Sequence, residues 1–251
     1  PYSIWLATVV VSGISYLSYL LKRYVFHESG TLVSGIIGGL YSSTATISVL
    51  ARKSRKASEQ EATEYVAAML LAVSMMFLRF MILILIFSRE IFLSIYPYLL
   101  TMAVVAAIVA WFIHSRQKRP EDQPAETEED DSSNPLEFKV ALIFAVLFVI
   151  FTFLTHYTLV YAGTGGLNLL SFVSGFSDIT PFILNLLQNT GSVAALIITA
   201  CSMQAIISNI MVNMFYALFF AGKGSKLRPW ILGGFGVVIT CNLVLLLFFY
   251  I

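Results

Sequence analysis

The chain has 251 residues, of which 58% are hydrophobic and 12% are charged, and its mean hydropathy is +0.85. A soluble domain carries about twice that share of charged residues, and the uncharged stretches 140–177 and 179–222 are longer than the roughly 20 apolar residues that cross a bilayer. The composition therefore indicates a multi-pass protein of the lipid bilayer and excludes a soluble enzyme and a nucleic-acid-binding protein.

Eight hydrophobic segments are predicted, and all of them are helices. Runs such as 80–87 and 243–250 are apolar throughout, whereas the strands of a transmembrane barrel alternate apolar and polar residues. The predicted fold class is therefore all-α and integral to the membrane. In chain order the segments lie at about 3–26, 30–51, 62–88, 91–114, 138–162, 164–187, 193–221 and 229–251.

A hydrophilic stretch divides the eight segments into two groups of four. Residues 115–137 hold eight of the 14 acidic residues together with three prolines, a composition that cannot form a packed core. We therefore expect a first membrane repeat at 1–114, a flexible acidic cytoplasmic linker at 115–137 and a second membrane repeat at 138–251.

The two groups resemble copies of one unit. When the stretch 39–47 is aligned with 175–183, the glycine, the following Ser42 or Asp178, a threonine and an isoleucine coincide. Both stretches lie in the second segment of their group, and each is followed by a long third segment. This matching order and spacing predicts an internal repeat.

The second segment of each group decides how the repeats are oriented. If all eight segments cross the membrane, eight basic residues lie on one side and six on the other. If 30–51 and 164–187 instead return to the side that they left, thirteen basic residues lie on one side and one on the other. The second distribution is the one that the positive-inside rule expects. We therefore predict two inverted repeats with the basic loops and the acidic linker in the cytoplasm, each repeat with three transmembrane helices and a re-entrant half-helix segment. The alternative is eight full spans in parallel repeats.

Two charged residues, Arg79 and Asp178, lie inside hydrophobic runs. A charge at the centre of a membrane helix costs about 2.5–3.5 kcal/mol on insertion scales, so each residue needs a polar or aqueous setting. Both are expected to line a polar pathway. The alternatives are that Arg79 snorkels or joins helices and that Asp178 caps a helix.

Ser42 and Asp178 occupy matching positions, and both residue types favour the N-cap of a helix. Glycines precede them, at Gly38, Gly39 and Gly175. This order predicts a glycine hinge followed by a half-helix whose N-terminus, with its partial positive charge, points to the membrane midplane. Transporters built from inverted repeats bind ions or substrate at such termini.

Hydroxyl and amide side chains near these positions complete the candidate pathway. A hydroxyl can bind an ion or hydrogen-bond a backbone carbonyl, and both roles stay open for each one. Asn209 and Asn213 share a helix face at i, i+4 spacing, where they line the pathway or join helices by hydrogen bonds. The candidate pathway residues are Ser42, Ser43, Thr44, Thr46, Arg79, Ser177, Asp178, Thr180, Asn209 and Asn213.

Nothing in the sequence points to an enzyme. The three histidines, His27, His114 and His156, are far apart and show no metal-ligand spacing, and no nucleotide-binding glycine motif occurs. We expect no catalytic residue and no cofactor. The sequence does not decide whether a metal ion binds.

Three stretches, 34–53, 75–79 and 174–184, resemble an uncharacterised bacterial membrane family, domain of unknown function 4010. The first stretch carries Gly-Gly-x-x-Ser-Ser-Thr-Ala-Thr, the second ends in Arg79, and the third begins Ser-Gly-Phe-Ser-Asp. The resemblance covers nearly the whole chain, and the first of these strings is fairly specific.

The resemblance implies that the chain is a multi-pass protein of a bacterial cytoplasmic (inner) membrane, and it implies no established activity. The family often follows an MgtC/SapB-like membrane domain, so a chain that begins at Pro1 fits a missing upstream domain. The family's pattern also has an acidic residue where Thr180 stands and a lysine near Asn213. The absence of both here suggests that a charged pair was replaced by a neutral one.

Two functions are compatible with these observations. The first is an ion or small-solute transporter or channel, with a polar site near the midplane formed by the two half-helices. A cation is slightly favoured because Asp178 is the only carboxylate inside the membrane, although Arg79 and the half-helix N-termini would suit an anion. The second is a non-transporting, MgtC-like regulator or scaffold that binds a protein partner through the linker and the basic loops. A homo-oligomer is compatible with both.

Overall fold

The computed structural model describes residues 2–20, 30–55, 57, 59–116, 138–188, 193–222 and 225–250. Within these ranges the regular secondary structure is entirely helical, as the composition predicts. From residue 117 onward, the predicted linker lies outside the described residues. The helices are α1 (Tyr2–Leu20), α2 (Thr31–Lys53), α3 (Glu59–Phe87), α4 (Arg89–Ser115), α5 (Phe138–Ser174), α6 (Ile179–Gln188), α7 (Ala195–Ala221) and α8 (Arg228–Tyr250).

Six of these helices contain a stretch that is long and apolar enough to cross a membrane. Large apolar side chains cover their outer surfaces; Trp111, Phe153 and Phe248, for example, are more than half exposed. An extended apolar surface of this kind marks contact with lipid. The described helices are therefore those of a multi-pass membrane protein. The six stretches are Thr31–Lys53, Thr63–Phe87, Arg89–Ser115, Val146–Ser174, Ala195–Ala221 and Arg228–Phe248.

The core is built around α3 and α7. The first of these packs against α2, α4, α6 and α8, and the second packs against α2, α4, α5, α6 and α8. Met69, Phe77 and Phe80 on α3 are fully buried, and α7 is buried at most positions between Ile198 and Ile210. Because apolar groups gain little by leaving lipid for protein, such packing depends on close contact between helices.

Small residues let α2 approach the backbone of α3 closely. Gly35 and Gly39 on α2 face Ala68 and Ala72 on α3, so small residues recur every fourth position on both helices. A Cβ atom added at Gly39 would lie 2.5 Å from the Ala72 Cα and 2.6 Å from its carbonyl oxygen. These positions on α2 therefore have room for glycine alone.

The helical chain is interrupted at two matching places. Within α2, Ser42 has extended backbone angles (φ −157°, ψ 105°), and the bend brings Thr46 against Gly38. In a straight helix these two residues would be about 12 Å apart along the axis. The second interruption is the turn between the end of α5 at Ser174 and the start of α6 at Ile179.

Helix α5 also changes direction, at Gly163, where φ is +59° and ψ is −149°. Glycine adopts this positive φ without a steric cost. The change brings Gly166 beside Thr158. The predicted segments 138–162 and 164–187 are thus separated at Gly163, and the second of them consists of the end of α5, the turn and α6.

The interruptions and one packing contact recur with the same spacing in the two halves. Gly39 and Gly175 are 136 positions apart, and so are their packing neighbours, Ala72 on α3 and Ser208 on α7. Each interrupted segment therefore meets the next long helix at a corresponding point. An internal repeat requires this correspondence.

Gly39→Ala is expected to destabilise the protein, because the new methyl group would overlap the Ala72 backbone. Overpacking of this kind costs about 1–3 kcal/mol. Gly236→Ala in α8 is the matched control, since nothing lies within 4 Å of a Cβ atom there and alanine is the better helix former. Thermal unfolding in detergent should show a lower midpoint for Gly39→Ala than for Gly236→Ala. Equal midpoints would contradict the close contact between α2 and α3.

Candidate functional site

The two interruptions lie at one cavity. It has a volume of about 640 Å³, and its lining comes from α1, α2, α3, α5, α6, α7 and the turn before α6. Segments that are far apart in the sequence therefore share one polar space. Of the ten candidate pathway residues, those that line the cavity are Ser42, Ser43, Thr44, Arg79, Ser177, Asp178, Thr180 and Asn209.

Ser42 caps the second half of α2. Its Oγ atom accepts a hydrogen bond from the backbone amide of Ala45 (3.3 Å), which is the interaction of an N-cap serine. In an unbroken helix that amide would donate to the carbonyl of Tyr41. The interruption therefore lets the Tyr41 carbonyl accept from a different donor.

Arg79 supplies that donor and joins the two interruptions. Its Nη1 donates to the Tyr41 carbonyl (2.7 Å), and its Nη2 donates to the Thr180 hydroxyl (2.8 Å) in the first turn of α6. The guanidinium carbon lies 5.4 Å from the centre of the Phe80 ring, and Nε is buried without a hydrogen-bond partner. One side chain of α3 thus contacts both interrupted segments.

Asp178 caps α6. Its Oδ1 accepts from the backbone amide of Thr180 (2.9 Å), and Pro181 stands in the first turn, where proline is tolerated. The residue is exposed and lines the cavity. Among the residues that the structure describes, no carboxylate oxygen comes within the 4.0 Å of an ion pair with Arg79. The carboxylate therefore acts as a helix cap and also contributes negative charge to the cavity.

Polar side chains of α7 hold the turn before α6. Asn209 Nδ2 donates to the Gly175 carbonyl (3.2 Å), and Ser208 Oγ donates to the Phe172 carbonyl (2.6 Å). Asn213 Nδ2 donates to Asn209 Oδ1 (3.2 Å), one turn away on the same face. Asn209 thus joins helices and lines the cavity, whereas Asn213 is buried behind it and does not reach the lining.

The candidate hinge glycines lie beside the interruptions, but the extended backbone angles of the first interruption belong to Ser42. Gly38 and Gly39 are in the first half of α2. Gly38 contacts Thr46, which, like Asn213, is a candidate pathway residue that does not line the cavity. Gly175 lies in the turn after α5, where an added Cβ atom would come within 2.7 Å of the α7 backbone. In the structure these glycines allow close packing.

Several other residues line the cavity without a clear signal in the sequence, because their types are common in membrane helices. Ser12 on α1 and Tyr216 on α7 are two of them. Tyr216 follows Asn209 by two helical turns, and this shared face is the signal that could have indicated it. Ser48 also lines the cavity, and its Oγ donates to the carbonyl of Thr44 (2.8 Å).

The lining offers charge and hydrogen bonds to a small ion or solute. Its polar groups are hydroxyls, one amide, one guanidinium and one carboxylate. Within the described part of the chain, no group of three or more His, Cys, Asp or Glu side chains could hold a metal ion.

The sequence as a whole assigns the chain to a family. A family model described as domain of unknown function (DUF4010) matches residues 9–221, a range that includes the entire cavity lining. The chain belongs to the DUF4010 family. This DUF4010 protein is also similar to a protein of Aquifex aeolicus (strain VF5) described as "Uncharacterized protein"; they are 24% identical over 224 residues, which is 88% of this chain and 96% of the relative. No solved structure matches the chain.

The DUF4010 match confirms the family resemblance that the three sequence stretches carry. It runs through both interrupted segments and ends with α7. The association with MgtC/SapB-like proteins stays a prediction.

Ser42→Ala should destabilise the DUF4010 protein by about 1 kcal/mol, because alanine cannot cap the second half of α2. Ser42→Asn should restore most of the loss, since asparagine is an equally good N-cap. Ser94→Ala is the control, because that hydroxyl bonds a carbonyl of its own helix at an exposed position. In thermal unfolding, a Ser42→Ala midpoint equal to that of Ser94→Ala would show that the cap contributes nothing.

Proposed function

We propose that this DUF4010 protein is an ion or small-solute transporter or channel of a bacterial cytoplasmic membrane. The observation that carries the proposal is the meeting of two interrupted helical segments at one polar cavity. A helix that only anchors a protein in lipid gains nothing from an interruption, because each unsatisfied backbone group in hydrocarbon costs several kcal/mol. Interrupted helices are tolerated at membrane depth where they are buried in protein or line a water-filled cavity, and these two interruptions line a polar cavity.

The ends of the half-helices supply groups that bind solutes. The second half of α2 follows Ser42 and α6 follows Asp178, and both capping residues line the cavity. A helix N-terminus carries roughly half a positive charge and presents backbone amides. In transporters built from inverted repeats, half-helices of this kind bind substrate or coupling ions near the midplane.

The two halves of α2 are each too short to cross the membrane. Two inverted repeats, each with three membrane crossings and one re-entrant segment, explain this shortness. Each half has about 11 residues and is roughly 16 Å long, whereas the hydrocarbon core is about 30 Å thick. The contact of Thr46 with Gly38 supports a segment that turns back rather than one that crosses. With three crossings, the second repeat starts on the opposite side of the membrane from the first.

A non-transporting regulator or scaffold is the alternative that shares this fold. It would bind a protein partner through the acidic linker and the basic loops, and it would leave the polar cavity without a role. The cavity and its two capped half-helices therefore favour transport. Neither function needs a catalytic residue or a cofactor, and we propose none.

The function is tested by flux through the purified protein in liposomes, measured for Na⁺, K⁺, Mg²⁺, chloride and formate. Transport of at least one of these is expected. Arg79→Ala, Asp178→Asn and Ser42→Ala should each reduce it by about tenfold, which corresponds to about 1.4 kcal/mol. Arg116→Ala and Ser94→Ala, outside the cavity lining, should transport at the wild-type rate.

Flux that survives all three cavity substitutions would remove this site assignment. Deletion of residues 120–134 separates the two functions, because a transporter should keep its flux without the linker. A regulator that depends on the linker should show no flux in either form and should lose its partner on deletion.

The orientation of the repeats is tested by single-cysteine accessibility. The two native cysteines are replaced by alanine, and single cysteines are placed at Lys22, Lys53, Lys118 and Lys226. The inverted arrangement requires all four to be labelled from the cytoplasm. Labelling at Lys22 and Lys226 from the outside would instead indicate eight spans in parallel repeats.

A further inference from the structure

Arg79 carries a positive charge that no ion pair neutralises among the described residues. Its neighbours on α3, Phe77 and Phe80, are fully buried and apolar. Both of its hydrogen-bond acceptors, the Tyr41 carbonyl and the Thr180 hydroxyl, are uncharged. Asp178 acts on Arg79 through its charge without forming an ion pair with it. Because a buried charge is costly without charged hydrogen-bond partners, a negatively charged ligand bound directly to the guanidinium, in the cavity that Arg79 lines, would stabilise it further.

Two carbonyl groups at the interruptions already accept hydrogen bonds from side chains. Broken helices coordinate Na⁺ through unwound carbonyls. Here the Tyr41 carbonyl accepts from Arg79. The Gly175 carbonyl accepts from Asn209. These two carbonyls are therefore poorer ligands for a cation, whereas the two half-helix N-termini attract negative charge.

The charges around the cavity sum to about zero. Arg79 and Asp178 carry opposite charges and cancel. The N-termini of the second half of α2 and of α6 contribute roughly +0.5 each, and the C-termini of the first half of α2 and of α5, at the same two interruptions, contribute roughly −0.5 each. The cavity therefore has no excess positive charge for a second negative charge, which disfavours a divalent anion, and the N–H donors of Arg79 favour an anion over a cation.

We propose that the cavity binds a small monovalent anion, such as a halide or a short carboxylate, between Arg79 and the two half-helix N-termini. This inference rests on the proposed function, because it names the substrate class of the proposed transport site. It reverses the slight preference for a cation that the sequence suggests. A guanidinium carries five N–H donors. Nη1 and Nη2 each make one bond here, which leaves one N–H on each for the anion, whereas Nε is buried and unpartnered. The volume of about 640 Å³ has room for the anion with part of its water.

Binding is measured with chloride as the probe, from the ³⁵Cl NMR line width in the presence of protein in phosphatidylcholine nanodiscs. The wild type should broaden the line in a saturable way. Formate should displace chloride, and sulfate should need about tenfold higher concentration, a difference of about 1.4 kcal/mol. Arg79→Gln should lose the saturable broadening. Asp178→Asn, in which asparagine keeps the cap, should bind chloride at least about threefold more tightly because a negative charge leaves the cavity.

Two charge controls lie outside the cavity, at exposed ends of α4. Arg116→Gln and Glu90→Gln each remove one charge and should bind chloride as the wild type does. Circular dichroism and gel filtration establish that each variant is folded. If Arg79→Gln does not fold, Asp178→Asn still decides: a chloride affinity no higher than that of Glu90→Gln overturns the proposal. Saturable broadening that a folded Arg79→Gln retains also overturns it.

The binding and flux assays fail independently. Saturable chloride binding without flux of any ion would support the anion site and remove the transport function. Flux of Na⁺ or K⁺ by a protein that shows no saturable chloride broadening would support transport and overturn the anion site.

Discussion

The two interrupted segments depend on one guanidinium in the middle of α3. A bilayer offers no water to a broken helix, so the protein itself must satisfy the backbone groups that an interruption exposes. Arg79 does this for the Tyr41 carbonyl, whose helical partner amide instead donates to Ser42, and it binds the first turn of α6 through Thr180. The same side chain therefore completes one interruption and positions it against the other.

The polar residues of the apolar helices follow from these interruptions. Ser42 and Asp178 cap the half-helices, and Asn209 satisfies the Gly175 carbonyl. Each such bond contributes a net stabilisation of only about 0.5–1.5 kcal/mol, and an unbroken helix would satisfy the same backbone groups without any polar side chain. The interruptions thus add no stability over a continuous helix. Their consequence is the cavity that both of them line.

Hydropathy and capping residues predict the segments and the two places where the helices break. Ser42 and Asp178, both of a type that favours the N-cap, mark the two interruptions, and Gly163 marks the boundary between the segments 138–162 and 164–187, so a single sequence reveals these places. The acceptors of Arg79 could not be predicted, because they depend on how α2, α3 and α6 pack. The hinge role of the glycines stays a prediction. Extended angles such as those of Ser42 suit any residue, whereas the contact of Gly39 with Ala72 requires the absence of a side chain.

The glycine contacts join each interrupted segment to the next long helix of its own half of the chain. Gly39 holds α2 against α3, and Gly175 holds the turn before α6 against α7. The bond from Arg79 to Thr180, in contrast, passes from the first half to the second. The cavity is therefore lined by both halves of the chain, which also pack against each other through α2 and α7. Under the proposed function, a movement of one half against the other would change access to the cavity while both capped half-helices stay intact, as alternating access requires.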